Sequence, residues 1–233
     1  MNLFVFGFGY TAQRFIDTYR DRFTRICATY HSPEKAEALQ ASSIVPYFFD
    51  GESYDAGIFD ELARAEAVIV SIPPASEWDP VLRHFSKAIA SAHHLRWVGY
   101  LSTVGVYGNA NGGWVDENTP PSPLNERSRH RIMAERQWLE LGSKVAFAAQ
   151  IFRLAGIYGP GRNALLKVAE GTVRCIIKPG QVFNRIHTSE IAQVLVASIE
   201  RPNQNTIYNV ADDEPGGLVT LTEVGRAKTI FAS

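Results

Sequence analysis

The chain has little cysteine: among its 233 residues Cys27 and Cys175 are the two thiols. They stand far apart in apolar surroundings and read as reduced core residues, so neither a disulfide framework nor a paired metal site is expected. An excess of charge of one sign is also missing. Lys and Arg number 23 against 24 Asp and Glu, a formal net charge of -1. No global attraction to nucleic acid or to an anionic membrane surface follows, and neither is expected as a partner. No apolar run is long enough to cross a bilayer. The first one has no basic segment ahead of it and is broken early by Gly7 and Gly9, unlike a secretory signal. The cytoplasm is the expected location. Internal repeats and low-complexity tracts are absent, no His, Cys or carboxylate cluster has metal-ligand spacing, and no GxSxG elbow occurs.

What is present begins at the first residues. The apolar stretch Asn2 to Phe6 runs straight into Gly7-Phe8-Gly9-Tyr10-Thr11-Ala12. This is the GxGxxA pattern of a dinucleotide turn. Its glycines allow a tight bend and close approach of backbone N–H groups to a pyrophosphate, and its small third position lets the next helix pack close to the strand. That helix, from about Thr11 to Tyr19, would aim its unpaired amides at the phosphates. Gly7, Phe8, Gly9, Tyr10 and Thr11 are therefore candidate cofactor contacts.

Strand and helix patterns then alternate, the rhythm of a doubly wound parallel sheet. Strands are predicted over Arg25–Tyr30, Ile44–Phe49, Ala67–Ile72, Trp97–Ser102 and Val145–Phe152. Helices are predicted from Ser32-Pro33 to Leu39, over Phe59–Ala65, from Asp79-Pro80 toward His93 and His94, and from Leu124 to Leu141, ended by Gly142. The division expected is a dinucleotide-binding domain over residues 1–162 and a short C-terminal lobe over 163–233, interleaved with the sheet.

The end of the second strand bears on the cofactor. Dinucleotide folds that select NAD place an Asp or Glu there for the ribose 2′-hydroxyl. Here it reads Ala28-Thr29-Tyr30-His31-Ser32, without an acid. A 2′-phosphate would meet no carboxylate and would find His31, Ser32 and Lys35, so NADP is expected over NAD. The plain alternative is a turn and a helix cap. Asp50 is a candidate acceptor for the adenine amino group, and Ser71, Ile72 and Pro73 should lie against the cofactor at the carboxyl end of the fourth strand.

Further segments follow in order: Leu101-Ser102-Thr103-Val104-Gly105-Val106-Tyr107-Gly108, Arg153 through Gly161, Ile186-His187-Thr188-Ser189-Glu190-Ile191-Ala192, and Ile207-Tyr208-Asn209-Val210. With the glycine turn they resemble the NAD-dependent epimerase/dehydratase family, the extended short-chain dehydrogenase/reductases, over nearly the whole chain. The resemblance implies a Rossmann fold, a nicotinamide cofactor touching Ser102 among others, a small C-terminal substrate lobe, and a homodimer built on the helix after the fifth strand. It also implies a catalytic Tyr and Lys four residues apart at the start of that helix. With Glu135 aligned to the glutamate beyond the Lys, Arg127 stands at the Tyr position and Arg131 at the Lys position.

A guanidinium, with a pKa above ~12, does not exchange protons near neutral pH as a phenol beside an ammonium does. Arg131 can still donate to the nicotinamide ribose. Thr103, at the family's Ser/Thr position, can orient a substrate oxygen, or be only a β-branched strand-end residue. His130 shares a helical face with Arg127, and histidine is the side-chain type suited to proton transfer near neutral pH, which makes it a candidate acid/base; an ordinary surface histidine is the alternative. Arg127, Arg129, Arg131, Arg153, Arg162, Lys178 and Arg185 suggest an anionic small-molecule substrate, a nucleotide-linked sugar being one such class. Two functions stay open: an epimerase, dehydratase or reductase, and a non-catalytic dinucleotide-binding sensor.

Overall fold

Strands covered on both faces need apolar side chains pointing both ways, and the sequence supplies them in β1 (Asn2–Phe6), β2 (Arg25–Tyr30), β3 (Val45–Phe48), β4 (Ala67–Val70), β5 (Trp97–Thr103) and β6 (Ala148–Leu154). The structure, a computed structural model, describes residues 1–75, 78–163, 166 and 182–217. Among these residues the helices are α1 (Tyr10–Tyr19), α2 (Pro33–Ala41), α3 (Gly57–Arg64), α4 (Pro80–Ala90), α5 (Glu126–Lys144) and α6 (Thr188–Glu200). Short strands β7 (Gly156–Tyr158), β8 (Val182–Phe183) and β9 (Arg185–His187) precede α6, and β10 (Thr206–Val210) and β11 (Gly216–Gly217) follow it. The main sheet has seven parallel strands in the order β10-β6-β5-β4-β1-β2-β3. This is the doubly wound Rossmann arrangement, whose strand order reverses between β1 and β4.

Alternate strand residues feed opposite layers. Leu3, Val5, Ile26 and Ala28 pack with Phe15 and Ile16 of α1 and with Ile191 and Leu195 of α6. Phe4, Phe6, Val68 and Val70 pack with Ile58 of α3, Phe85 of α4 and Trp138 of α5. In β5 the indole of Trp97 lies across Gly99, where an added Cβ would come within 2.2 Å of the ring. Its N–H donates to Gln150 and Ser198, both at 2.9 Å.

Within the segment read as the C-terminal lobe, α6 and β10 are interleaved with the sheet. Strand β10 pairs with β6, and α6 lies along α1, where the Arg14 guanidinium donates to the Ser189 hydroxyl at 3.0 Å. Strands β7 with β9 and β8 with β11 form two separate pairs. Cys175, Lys178 and the Leu218-to-Val224 stretch lie outside the described residues. Cys27 is buried and free; its thiol, pushed up to about 12 by burial, bonds to Glu61.

Several boundaries differ from the sequence expectation by a few residues, among them the end of α5 and the end of β4. Gly142 does not end α5, which continues to Lys144. A Cβ there would meet Ala149 Cβ and Asn205 Oδ1 at 2.5 Å, so this glycine serves close packing. Strand β4 stops at Val70; the next amide, Ser71 N–H, still donates to the Phe6 carbonyl of β1 at 2.9 Å and makes the last rung of that parallel ladder.

Asp79 and Pro80 open α4 as expected. The Asp79 carboxylate accepts from the amides of Val81 at 2.9 Å and Leu82 at 3.1 Å, an N-cap ahead of a proline at the first helical position. The residue is fully buried. Burial pushes its pKa up to about 6 against the pull of those amides. A folded pKa above the unfolded one means that ionisation costs the folded state. That cost is absent at low pH, grows as pH rises from about 4 through 6, and is on the order of 3 kcal/mol at neutrality. Asp79→Asn keeps the cap acceptor and cannot ionise. In urea unfolding it should be at least as stable as the parent at pH 7 and lack the parent's gain in stability between pH 7 and 5. The same gain in both proteins would contradict this account.

Candidate functional site

The carboxyl ends of β1, β2, β4 and β5 form one rim, and the glycine turn sits at the point where strand order reverses. Gly7 has φ +87°, and a Cβ on it would lie 2.8 Å from Ile72 Cγ1 and 2.9 Å from Ser71 Oγ. Its N–H donates to Thr29 Oγ1 at 2.8 Å. Its carbonyl accepts from Ser71 Oγ at 2.5 Å and from Gly9 N–H at 3.0 Å. The turn is thus fixed by β2 and β4 together.

Gly9 caps α1 with no side-chain bond, and no acid occupies the first turn. The first backbone bond to the cap is from Gln13 N–H to the Gly9 carbonyl, at 2.9 Å. The amides of Tyr10, Thr11 and Ala12 are therefore left without an intrahelical acceptor, at the positive end of the helix dipole. A Cβ on Gly9 would meet nothing within 4 Å. Steric need at Gly7 and open space at Gly9 are what a turn shaped for an approaching pyrophosphate requires, so these residues fit a dinucleotide. Phe8 is half-buried against the core. Tyr10 leans the other way, its hydroxyl donating to the Pro160 carbonyl at 2.9 Å.

Farther along the rim, His31 is exposed and Ser32 half-exposed. Lys35 Nζ stands 3.4 Å from His31 Nε2. Ser32 caps α2 by position, without a side-chain bond to the helix amides. Its hydroxyl instead joins the Glu34 backbone amide in holding the Glu34 carboxyl below its usual range. The Asp50 carboxylate accepts from the amides of Glu52 and Ser53, at 2.9 and 2.8 Å. It thereby shapes its own loop. Ser71 and Ile72 line Gly7, and Pro73 is exposed beside them.

At the end of β5, Thr103 is half-buried, and its hydroxyl oxygen accepts from Gly105 N–H at 3.1 Å. The hydroxyl proton is left to a further acceptor. Ser102 points into the core and donates to Glu135 at 2.5 Å. Arg131 donates to the Leu101 carbonyl at 2.6 Å, while Arg127 is exposed. His130 Nε2 lies 3.8 Å from Glu126 Oε2, with the side chain 20% exposed. Arg129 is exposed and pairs with Glu126.

Beneath Thr103 runs a buried polar network. Arg153 donates to Glu135 Oε2 at 2.7 Å from one nitrogen and 3.2 Å from another, and to the Tyr107 hydroxyl at 2.8 Å. Tyr107 in turn donates to Asn209 Oδ1 at 2.8 Å. The Arg153 and Glu135 side chains are 4% and 3% exposed. This corrects the reading of Arg153 as a cleft cation, because its charge is fully engaged inside the protein. Thr29 and Asn209 are positioning residues that the sequence did not reveal: a threonine in a strand carries no sign of where its hydroxyl points, and Asn209 gave only its place in the Ile-Tyr-Asn-Val motif. Among the described residues no group of three His, Cys, Asp or Glu could hold a metal ion, and no helix is long and apolar enough to cross a membrane.

Removing Glu135 alone would leave Arg153 buried without a counter-charge. Glu135→Ala should cost about 3–5 kcal/mol in urea unfolding, and Glu135→Leu combined with Arg153→Met should regain most of that. A double variant as unstable as the single one would show that the loss does not come from the stranded charge.

A family model described as the NAD dependent epimerase/dehydratase family matches residues 87–211, just over half of the chain. Among solved structures, a functionally unknown conserved protein from Silicibacter pomeroyi is 45% identical, with a TM-score of 0.83 over 93% of this chain and 74% of its own. The dTDP-glucose 4,6-dehydratase of Bacillus anthracis, solved with NAD, is 15% identical, with a TM-score of 0.78 over 97% of this chain and 80% of its own. The UDP-glucuronic acid 4-epimerase of Bacillus cereus, also with NAD, is 17% identical, with a TM-score of 0.78 over 98% and 84%. These last two are likenesses of fold. No curated protein matches in sequence. With the family match spanning the rim beyond β4 and the glycine turn set in a doubly wound sheet, the chain belongs to the NAD dependent epimerase/dehydratase family.

Proposed function

We propose that this protein binds a nicotinamide dinucleotide across the carboxyl ends of β2, β1 and β4 and acts as an epimerase, dehydratase or reductase on a small hydroxyl or carbonyl substrate, anionic or nucleotide-linked. The observation that carries the proposal is the turn open at Gly9, with free helix amides behind it and no acid in the first turn. A bound nicotinamide supplies the hydride acceptor or donor. The chain's own residues supply position and proton traffic. In this reading Thr103 Oγ1, fixed by Gly105 N–H, turns its proton toward a substrate oxygen, and Arg131 extends its remaining N–H groups from the Leu101 carbonyl toward the ribose. His130, beside Glu126, holds or releases the proton.

The second reading, a dinucleotide-binding sensor without turnover, is favoured by the proton-transfer pair itself. Arg127 is exposed and Arg131 is tied to a main-chain carbonyl, and arginine is not a side-chain type that serves as a general acid or base. For the cofactor we favour NADP, because Lys35, in the first turn of α2, stands beside His31 just past the end of β2, the region where a 2′-phosphate would lie. The Glu34 carboxylate nearby opposes that preference.

Gly9→Val should cost about 1 kcal/mol of stability, because valine is a poorer N-cap than glycine although its side chain enters open space, and should abolish binding of NADH and NADPH in fluorescence titration of the folded protein. Retained affinity would move the phosphate site away from this turn. In the same titration NADPH should bind more tightly than NADH, with Lys35→Ala removing the difference; tighter NADH would settle the cofactor the other way. Turnover is tested by NADPH oxidation with a panel of carbonyl compounds and nucleotide sugars. His130→Ala should lower kcat by about 100-fold or more if His130 is the acid/base. Binding without turnover across the panel would establish the sensor reading.

A further inference from the structure

The glycine turn has a second wall that the dinucleotide pattern does not include. After β7 the chain makes a tight turn in which Gly159 and Arg162 exchange backbone bonds, at 2.9 and 3.0 Å. This turn is docked on the first residue of α1. Tyr10 donates to the Pro160 carbonyl at 2.9 Å, and Gly159, with φ +156°, fits because a Cβ there would lie 2.6 Å from Tyr10 Oη and 2.7 Å from Thr188 Cγ2. The docking sets Arg162 over Tyr10, its guanidinium carbon 5.6 Å from the ring centroid. Among the described residues no carboxylate pairs with Arg162, in contrast to Arg22, Arg25, Arg83, Arg96, Arg129 and Arg153. An exposed guanidinium without a counter-ion is thus stacked on the residue whose backbone amide is one of the free donors at the helix start.

Building on the dinucleotide-binding reading, we infer that Arg162 closes over the cofactor's diphosphate from the side opposite the α1 amides, with Tyr10 as its platform. The chemistry matches on both sides. The amides of Tyr10, Thr11 and Ala12 and the helix dipole attract the anion from below. A planar guanidinium with five N–H donors recognises paired phosphate oxygens in a forked geometry, and stacking on the phenol ring holds that fork in one plane without using its donors. The turn that carries Arg162 follows β7, beyond the sheet strand β6, so this contact joins the phosphate turn to a part of the chain 150 residues away, as the Tyr10 to Pro160 bond already does.

The test compares the parent with Arg162→Gln and Arg162→Lys in titrations of NADPH, ADP-ribose, adenosine and UDP, with thermal melting as the check on folding. Arg162→Gln should weaken NADPH and ADP-ribose by roughly 10- to 100-fold, leave adenosine unchanged, and reduce the salt dependence of ADP-ribose binding. Arg162→Lys should recover part of the loss. Equal affinity for ADP-ribose in parent and Arg162→Gln, with the parent binding it, overturns the inference and leaves the glycine-turn reading intact. A loss confined to UDP would assign the guanidinium to a substrate diphosphate and overturn the cofactor assignment. A parent that binds neither NADPH nor ADP-ribose would overturn both readings.

Discussion

The buried Arg153–Glu135 pair is the constraint on which the carboxyl-end rim of the sheet depends. Two opposite charges removed from water are tolerable only while each keeps its partner and its remaining hydrogen-bonding capacity is filled. Here that capacity is filled by Ser102 on β5, by Tyr107 in the turn after β5 and, through Tyr107, by Asn209 on β10. Residues from four separate elements and one turn are thereby locked into a single arrangement. The pair fixes where β5 ends, and so where Thr103 presents its hydroxyl.

The same network explains why the rim differs in character along its length. On the β1, β2 and β4 side, backbone geometry does the work: Gly7, Gly9 and the start of α1 are held by Thr29 and Ser71 and leave main-chain donors uncovered. On the β5 and β6 side, side chains are consumed by the interior. Ser102 faces Glu135, and Arg131 reaches the Leu101 carbonyl. The part shaped like a phosphate turn is preformed, whereas the positions that the family gives to a phenol and an amine carry Arg127, which is exposed, and Arg131, which is bonded to the Leu101 carbonyl.

Much of the fold could be read from the sequence, because local chemistry specified it. Apolar strand runs, the Asp79-Pro80 start of α4 and the glycines of the first turn each answer a backbone or solvation need within a few residues. What could not be read depended on distant partners. Gly142 resembles a helix terminator until Ala149 and Asn205 are seen against it. Arg153 resembles a ligand-facing cation until Glu135 is found beside it in the core. Among the candidate site residues, Gly7 and Gly9 were legible through their backbone demands. Ser102 lies near the carboxyl end of β5 and Asp50 just beyond β3, but no pattern in the sequence told which way their side chains turn.

The bracing of α1 by α6 has a consequence for how the protein is made. The glycine turn is synthesised well before α6, yet the helix behind it is packed by Ile191 and Leu195 and bonded through Arg14 to Ser189, 175 positions later. Contacts of such sequence separation form late, because the entropy of closing the intervening chain must be met first. A segment made early is therefore completed by one made much later, and a nascent chain short of α6 leaves the apolar face of α1 uncovered before the phosphate turn has its supporting layer.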